Sequence, residues 1–490
     1  MKRLPRANPE QTLQQRGLRL YARILSGIPF GKTTRLARNY KTLKEFESIE
    51  SSYGNSPPPE WLSLRTLQLS FSDIVRPNQA GGFYRALDQL VGKYGSDLQL
   101  PRSLSRENYE KGELQSGTWR NIGFINFAEH HRVKWCESAW VQLYELHPSL
   151  ACITIHVQPS DIYHQKFSSI INNTESEYRI LESQRPASKG FSIRHIHNAF
   201  ARRDALTRLR LQVDHEVSSI LRRFLPVEWS SRSFLPCVDC LGFRILGTPQ
   251  NDDSLLDIYT ATDRSPNHHF NYRNANGFEI DDRSSGRRDH NPTLISITID
   301  EKRAISRMRT QGGYVDDDHR LMYALHYNAS SLALIAAHLE LLRRAEDRIS
   351  KISRKLSRLN RKRSRSFFGR TVFPSGRLLS DSNVLYTDLL ALRDTLESNR
   401  VASHLRFRMT DYHLSDKNHS EDKSYARMIS QHIDRRYQGN LKSAEILNNS
   451  IRDHVSAQTE SHMYFFSMIS LFIAFLGLVA FILSFVLRPE

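Results

Sequence analysis

The sequence predicts an α+β soluble domain, then a long helical, coiled-coil stalk, then a single C-terminal transmembrane helix. Three observations carry that reading. The 25 residues from Met463 to Leu487 hold no charge. Apolar residues recur every seven positions between Ile335 and Leu359. Strand-like alternation and amphipathic helical periods are mixed through residues 45–310.

Charge divides the chain before any element is placed. The formal net charge is +17, and it is concentrated in two segments. Residues 1–44 hold 11 Lys and Arg against one acid, Glu10, and residues 348–377 hold 11 with no acid. The remainder is slightly acidic, so this is an ordinary domain carrying two basic devices. Four cysteines exclude a disulfide scaffold and fit a reducing compartment.

The first device is a basic arm over residues 1–44. Arg16, Arg19 and Arg23 fall on one face of a predicted helix, with Leu18, Tyr21 and Leu25 on much of the rest. That pattern suits an anionic membrane surface, and an Arg-rich, acid-poor N-terminus also matches a mitochondrial transit peptide. It contains no apolar run of the secretory kind.

After the stiff stretch Asn55–Trp61, residues 45–310 read as mixed α/β. A short helix is expected at 82–93 and a longer one over Asp204–Leu225, opened by its acidic cap. Strands are expected at Ala151–Val157 and Leu294–Asp300, and with weaker alternation at 241–246 and 254–260. The polar segment 261–291 reads as a long exposed loop.

From Asp316 the pattern turns helical, and residues 315–460 form a predicted hairpin and stalk. Ile335, Leu342, Ile349 and Leu356 make one heptad row; His338, Ala345, Ile352 and Leu359 make the other. Gly and Pro in Phe367–Arg377 predict the turn. A further helix follows over Val384–Leu405, and the stalk starts near Ser424 with Ile433, Tyr437, Ala444, Ile451 and Val455 on one side. The second basic device lies on this arm, where Arg354, Lys355, Arg358, Arg361, Lys362, Arg363 and Arg365 are candidates for contact with an anionic surface. Aromatics are not interleaved among them, so any nucleic-acid contact there would be nonspecific.

Chemistry-bearing motifs are weak by comparison. Ser26–Thr34, "SGIPFGKTT", resembles a phosphate-binding loop, but only three residues separate Gly27 from Gly31. Gly27 as a helix C-cap before Pro29 explains the same residues. Asp300, ending its strand, is the matching metal-ligand candidate. Cys237 and Cys240 form one C-x-x-C without the second pair a structural zinc needs; Cys136 with His130 and His131 has no recognised spacing. His195 and His197, and His268 with His269, are further histidine pairs. Asp316, Asp317 and Asp318 sit where carboxylates cap a helix. No cofactor or metal is expected, and an enzyme is the lesser reading, metal- or nucleotide-dependent if one is present.

The span itself covers 463–487. A helix of that length reaches roughly 37 Å, enough to cross the hydrocarbon core. All Lys and Arg except Arg488 precede it, which predicts a single-pass, tail-anchored protein with its N-terminal bulk on the cytosolic side; the mitochondrial inner membrane is the alternative. Ser467, Ser470, Ala474, Gly477 and Ser484 form a stripe of small residues suited to helix packing in lipid, hence a homo-oligomer. The stripe is out of phase with the stalk's apolar row. Asymmetric packing, or a helix break near Gln458–Met463, would reconcile the two.

The order of soluble domain, helical hairpin, long stalk and span resembles the layout of CorA-type magnesium channels over the residues from Asp316 onward. That resemblance is architectural and implies a homo-oligomeric ion channel; the family's Gly-Met-Asn signature after its first span has no counterpart here. The leading expectation is a self-associating membrane scaffold, sensor or signalling platform with a protein partner. The alternative is an ion channel or pore-forming effector.

Overall fold

Strand β1 (Leu62–Val75) lies inside a nine-stranded sheet, paired on both edges. The computed structural model describes residues 58, 60–75, 80–94, 118–127, 133–147, 150–172, 177–182, 191–196, 198–221, 235–246, 271–273, 278–282, 294–309, 317–363, 374–397, 413–414 and 425–486. The chain forms two units: Met1–His338 with Ser403–Met428, and Leu339–Ala402 with Ile429–Glu490.

In the first unit, β2 (Thr118–Asn126), β3 (Cys136–His147) and β4 (Leu150–Pro159) extend the sheet on one side of β1. On the other side come β7 (Cys237–Ile245), β10 (Leu294–Asp300), β9 (Phe278–Asp282), β8 (Asn271–Arg273) and β11 (His413–Leu414). The order is β11-β8-β9-β10-β7-β1-β4-β3-β2, and β5 (Glu177–Glu182) pairs separately with β6 (Phe191–Ile196). β10 runs parallel to β7, while the other pairs are antiparallel.

One face of the sheet is apolar. Leu69 and Phe71 of β1, Val141 and Leu143 of β3, and Ile153, Ile155 and Val157 of β4 all point to it. They share a core with helices α1 (Ala80–Tyr94), α2 (Asp161–Ile171) and α3 (Asn198–Leu221) through Leu87, Leu90, Phe167, Leu209 and Val213. Each fully buried large side chain contributes about 1.5–3 kcal/mol of transfer free energy. Directional contacts fix where the helices sit. Tyr84 of α1 donates to the buried Glu145 carboxylate, which also takes Arg120 at 2.5 Å. Arg210 of α3 holds Asp239 of β7 through two nitrogens, at 2.5 and 3.0 Å. Glu216 of α3 accepts the backbone N–H groups of Lys134 and Trp135, each at 3.0 Å. Ser160 caps α2 by accepting from Tyr163 N.

The other face is polar yet equally buried, with Gln68, Ser70, Ser72, Gln142, Thr154 and His156 on it. It packs against the first part of α5 (Asp317–Arg363): Ser72 Oγ donates to Ala333 O at 2.7 Å. Every residue of Asn328–Glu340 is buried, a consequence of a helix segment that is apolar or small on all sides.

β10 leads without a loop into α4 (Glu301–Arg309), where Asp300 Oδ1 accepts Arg303 N at 3.0 Å. The Glu301 carboxylate turns back over the sheet to Arg65, at 2.8 Å through both oxygens, and to Arg244. Gly242 makes this approach feasible, since a Cβ there would stand 2.4 Å from Glu301 Oε1.

In the second unit, the remainder of α5 packs with α6 (Pro374–Glu397) and α7 (Tyr425–Val486). Arg348 pairs with Asp388 and Lys355 with Asp381, so α5 and α6 are antiparallel. Arg436 grips Glu346 at 2.9 and 3.0 Å, and Asn440 Nδ2 donates to Leu342 O at 3.0 Å; α7 is therefore antiparallel to α5 as well. Tyr437 Oη donates to Leu389 O at 2.9 Å, tying α7 to α6. The interior holds Leu342, Ala345 and Ile352, with Leu378, Leu385, Leu389 and Leu392, and Ile429, Ile433, Ala444, Leu447 and Ile451.

The α+β domain is thus present, and the strand at Leu294–Asp300 has the expected bounds. The segment 261–291 is not all loop, because β8 and β9 fall within it; β8 has three residues, and in β9 the alternation of Phe278 and Ile280 with Glu279 and Asp281 spans only four. The expected strand at 254–260 lies outside the described residues. Pro374 and Gly376 lie in the first turn of α6, where a proline's fixed φ fits, and the rest of the expected turn, 367–373, lies outside the described residues. α7 passes unbroken through Gln458–Met463, so no helix break reconciles the stripe with the stalk row.

Candidate functional site: a membrane-length helix end and a buried polar network

α7 changes environment along its length. From Ile429 to Ile451 one face of it is buried among α5 and α6, while Ile446 on another side is exposed. Over Met463–Ala480 the mean hydropathy is 2.2 and none of the segment is buried. Leu471, Phe472, Ile473, Phe475, Leu476 and Leu478 are all exposed there. Among the described residues this is the one helix long and apolar enough to cross a membrane.

Ser467, Ser470, Ala474 and Gly477 lie on this exposed part, and a Cβ on Gly477 would meet nothing within 4 Å. Ser484 is on α7, with its side chain outside the described residues. At about 100° per residue, the stripe is turned roughly 125° from the face holding Ile429, Ile433, Tyr437, Asn440, Ala444, Leu447 and Ile451. That face is filled by the chain's own α5 and α6. The phase mismatch in the sequence therefore separates an intramolecular face from one that remains uncovered.

Arg354, Lys355 and Arg358 are exposed on α5 and, with Lys351, share one side at i, i+3, i+4, i+7 spacing. Arg354 donates to Ser350, and Lys355 lies 4.0 Å from Asp381. Arg361, Lys362 and Arg363 continue α5, their side chains outside the described residues. Arg365, and Arg16, Arg19 and Arg23, lie outside the described residues altogether. By the antiparallel register, Ser353 beside Arg354 is level with Ile429, and Ile429 to Met463 is about 51 Å along α7.

Cys237 and Cys240 are three apart on a regular strand and so face opposite sides of the sheet; one zinc could not take both. All four cysteines are buried and unlinked, and burial followed by the Asp239 charge pushes the Cys237 thiol well up. Among the described residues no group of three or more His, Cys, Asp or Glu could hold a metal. Asp300 serves as a helix cap. Asp317 opens α5 as the acidic triplet anticipated. His195 is on β6 with its side chain outside the described residues, as are His130, His131, His197, His268, His269, Asp316 and the loop Ser26–Thr34.

Sequence reasoning missed a network on the polar face of the sheet. His156 Nδ1 is 2.7 Å from Ser70 Oγ and 2.9 Å from Gln68 Nε2. Its Nε2 is 3.2 Å from Gln142 Oε1, which also accepts from Ser330 Oγ at 2.8 Å. Gln142 Nε2 donates to Asn121 Oδ1 at 2.8 Å and meets His326 Nε2 at 2.7 Å. The two imidazole rings are 4.5 Å apart, edge to face. Burial, and then the neighbouring His326, holds the His156 pKa well below the usual imidazole value. The available signal was a histidine inside the apolar strand Ala151–Val157.

No protein-family model, curated protein or solved structure matches the chain.

Proposed function

We propose that the chain is a C-terminally anchored, self-associating membrane protein, presenting its α+β unit as a scaffold, sensor or signalling platform. One observation carries this reading: a single helix buries one face of its first half in a folded bundle and leaves the 18-residue apolar segment Met463–Ala480 uncovered. Uncovered in water, those side chains would forfeit about 1.5–3 kcal/mol each; lipid removes that cost. The charge asymmetry favours a cytosolic bulk, with the mitochondrial inner membrane as the alternative site.

The stripe Ser467–Ser470–Ala474–Gly477 supports self-association, being turned away from the face used internally. The heptad rows do not add to that support, since Leu342, Ala345 and Ile352 are buried within one chain. Arg354, Lys355 and Arg358 stand too far along the stalk to reach headgroups around the span. They suit an anionic protein partner on the aqueous side.

Alkaline carbonate extraction tests the anchoring: the chain stays with the membrane pellet, and release would end this reading. The mass of the detergent-solubilised complex tests the association, with a monomer as the contrary result. A second reading, a homo-oligomeric channel, draws on the α5–α6 hairpin set against a 62-residue helix that runs on into the apolar segment. It requires ion flux in liposomes that Ser470→Leu and Gly477→Leu abolish; flux unchanged by both removes it.

A further inference from the structure

Gln142 is surrounded so that its two amide atoms dictate the protonation of both histidines. Oε1 can only accept, so His156 carries its ring proton on Nε2 and accepts at Nδ1 from Gln68 or Ser70. Nε2 can only donate, and its two protons go to Asn121 Oδ1 and His326 Nε2. His326 therefore presents a bare Nε2 and carries its proton on Nδ1. Ser330 Oγ closes the set, 2.8 Å from Gln142 Oε1 and 2.7 Å from the His326 carbonyl. Four strands and one helix meet here: β1, β2, β3, β4 and α5.

We infer that the His326–Gln142–His156 network is a proton-sensitive latch holding α5 against the sheet, closed while both imidazoles are neutral and opened as His326 takes up a proton. In this arrangement the proton goes to His326 Nε2, the acceptor of one Gln142 N–H. A proton there sets donor against donor at 2.7 Å. Turning the Gln142 amide over would satisfy His326, but would set N–H against His156 Nε2–H and withdraw the donor from Asn121. His156 would then have to change tautomer against Gln68. One proton thus breaks bonds to three strands, and a buried unsatisfied polar group costs about 1–3 kcal/mol. His326 is half-buried and His156 is buried, so the proton enters at His326.

Other groups facing the pair do not share this role. Among the described side chains on this face, β3 presents Trp140 and the phenol of Tyr144; β1 presents Gln68, Ser70 and Ser72. β4 adds Thr154 and Cys152, whose thiol is pushed up to about 12 by burial. Asp73 of β1 acts on Cys152 and accepts Ile74 N. Further along α5, His338 is buried and hydrogen-bonded to Leu334 O, its pKa lowered by burial. The inference stands apart from the membrane reading, because every member of the network lies in the first unit.

Amide hydrogen exchange of the full chain in nanodiscs, from pH 8 to 5 and corrected for intrinsic rates, tests it. Amides of 328–334 are expected to open about tenfold more per pH unit below about 6.5 for each proton the open state gains. The pair releases two histidines in the parent chain, one in His326→Gln and none in His326→Gln with His156→Gln, so the slope falls by the same step at each substitution. Any His338 contribution adds equally to all three chains and leaves those steps unchanged. A parent slope unchanged in His326→Gln, or no pH dependence in the parent, overturns the latch. Ring-nitrogen NMR of the unaltered chain at neutral pH gives a check free of variants: Nε2–H on His156 and Nδ1–H on His326 are required, and the reverse tautomers contradict it.

Discussion

The two halves of α7 differ in apolar content and in surroundings, and the contrast shows what each half is for. Ile429, Ile433, Ala444, Leu447 and Ile451 recur on one face and are buried. Over Met463–Ala480, apolar side chains occupy every face and none is buried. A one-sided stripe serves a protein partner, here the chain's own α5 and α6. An all-round apolar surface needs a solvent that is itself apolar.

The largest expected effect breaks that contrast directly. Ile433→Ala should destabilise the folded protein by about 2–5 kcal/mol in denaturant titrations in detergent, the usual cost of truncating a buried branched side chain. Ile473→Ala, the same chemistry 40 residues on, should leave the unfolding midpoint of the soluble units unchanged. Equal losses would mean that the two halves share one kind of environment.

Gly242→Ala comes next. Its Cβ would meet Glu301 Oε1 and Leu67 Cδ1, at 2.4 and 2.7 Å. Displacing the carboxylate from Arg65 and Arg244 should cost about 1–3 kcal/mol. With Glu301→Ala already in place, the same substitution should cost measurably less, and additive losses would refute the contact.

Asn440→Ala removes the donor to Leu342 O on the buried face of α7, and should cost about 1–3 kcal/mol. By contrast Ser470→Ala, on the uncovered face, should not move the denaturation midpoint.

Acid should weaken the first unit. His156 and His338 are held neutral by burial, with pKa values below the ordinary imidazole value. The unfolded chain binds protons that the native state refuses, so stability is full above about pH 6.5 and falls as the pH drops below it. Urea midpoints flat from pH 8 to 7 and declining towards pH 5 are expected; a rise on acidification would reverse the sign. The smallest effect belongs to Lys355→Ala, whose exposed partner Asp381 is 4.0 Å away: the change in stability should stay within about 0.5 kcal/mol.

Legibility in the sequence followed regularity. α7, α5 and the strand Leu294–Asp300 were readable because each carries a sustained apolar signal, helical repeats in the first two and strict alternation in the third. β1 was hidden by a bulge. Leu62 and Leu64 alternate in one phase and Leu67, Leu69 and Phe71 in the other, and the pairing with β7 shifts between Thr66 and Gln68. β3 was hidden because both its faces are buried, so Gln142 interrupts the apolar pattern without marking a surface. The stripe on the span could be read, as could its phase mismatch with the stalk. The cause of the mismatch could not, since nothing in the sequence says that α5 and α6 fill the other face. The His156 network joins residues from Gln68 to Ser330, and no local window contains it.

The central claim is that α7 passes from protein into lipid between Ile451 and Met463. Thiol labelling in sealed vesicles tests it directly, and the four native cysteines are buried. With Asp453→Cys, a membrane-impermeant maleimide should react in intact vesicles that expose the soluble bulk. With Phe472→Cys, reaction should require detergent. Labelling of both positions at the same rate in intact vesicles would contradict the account.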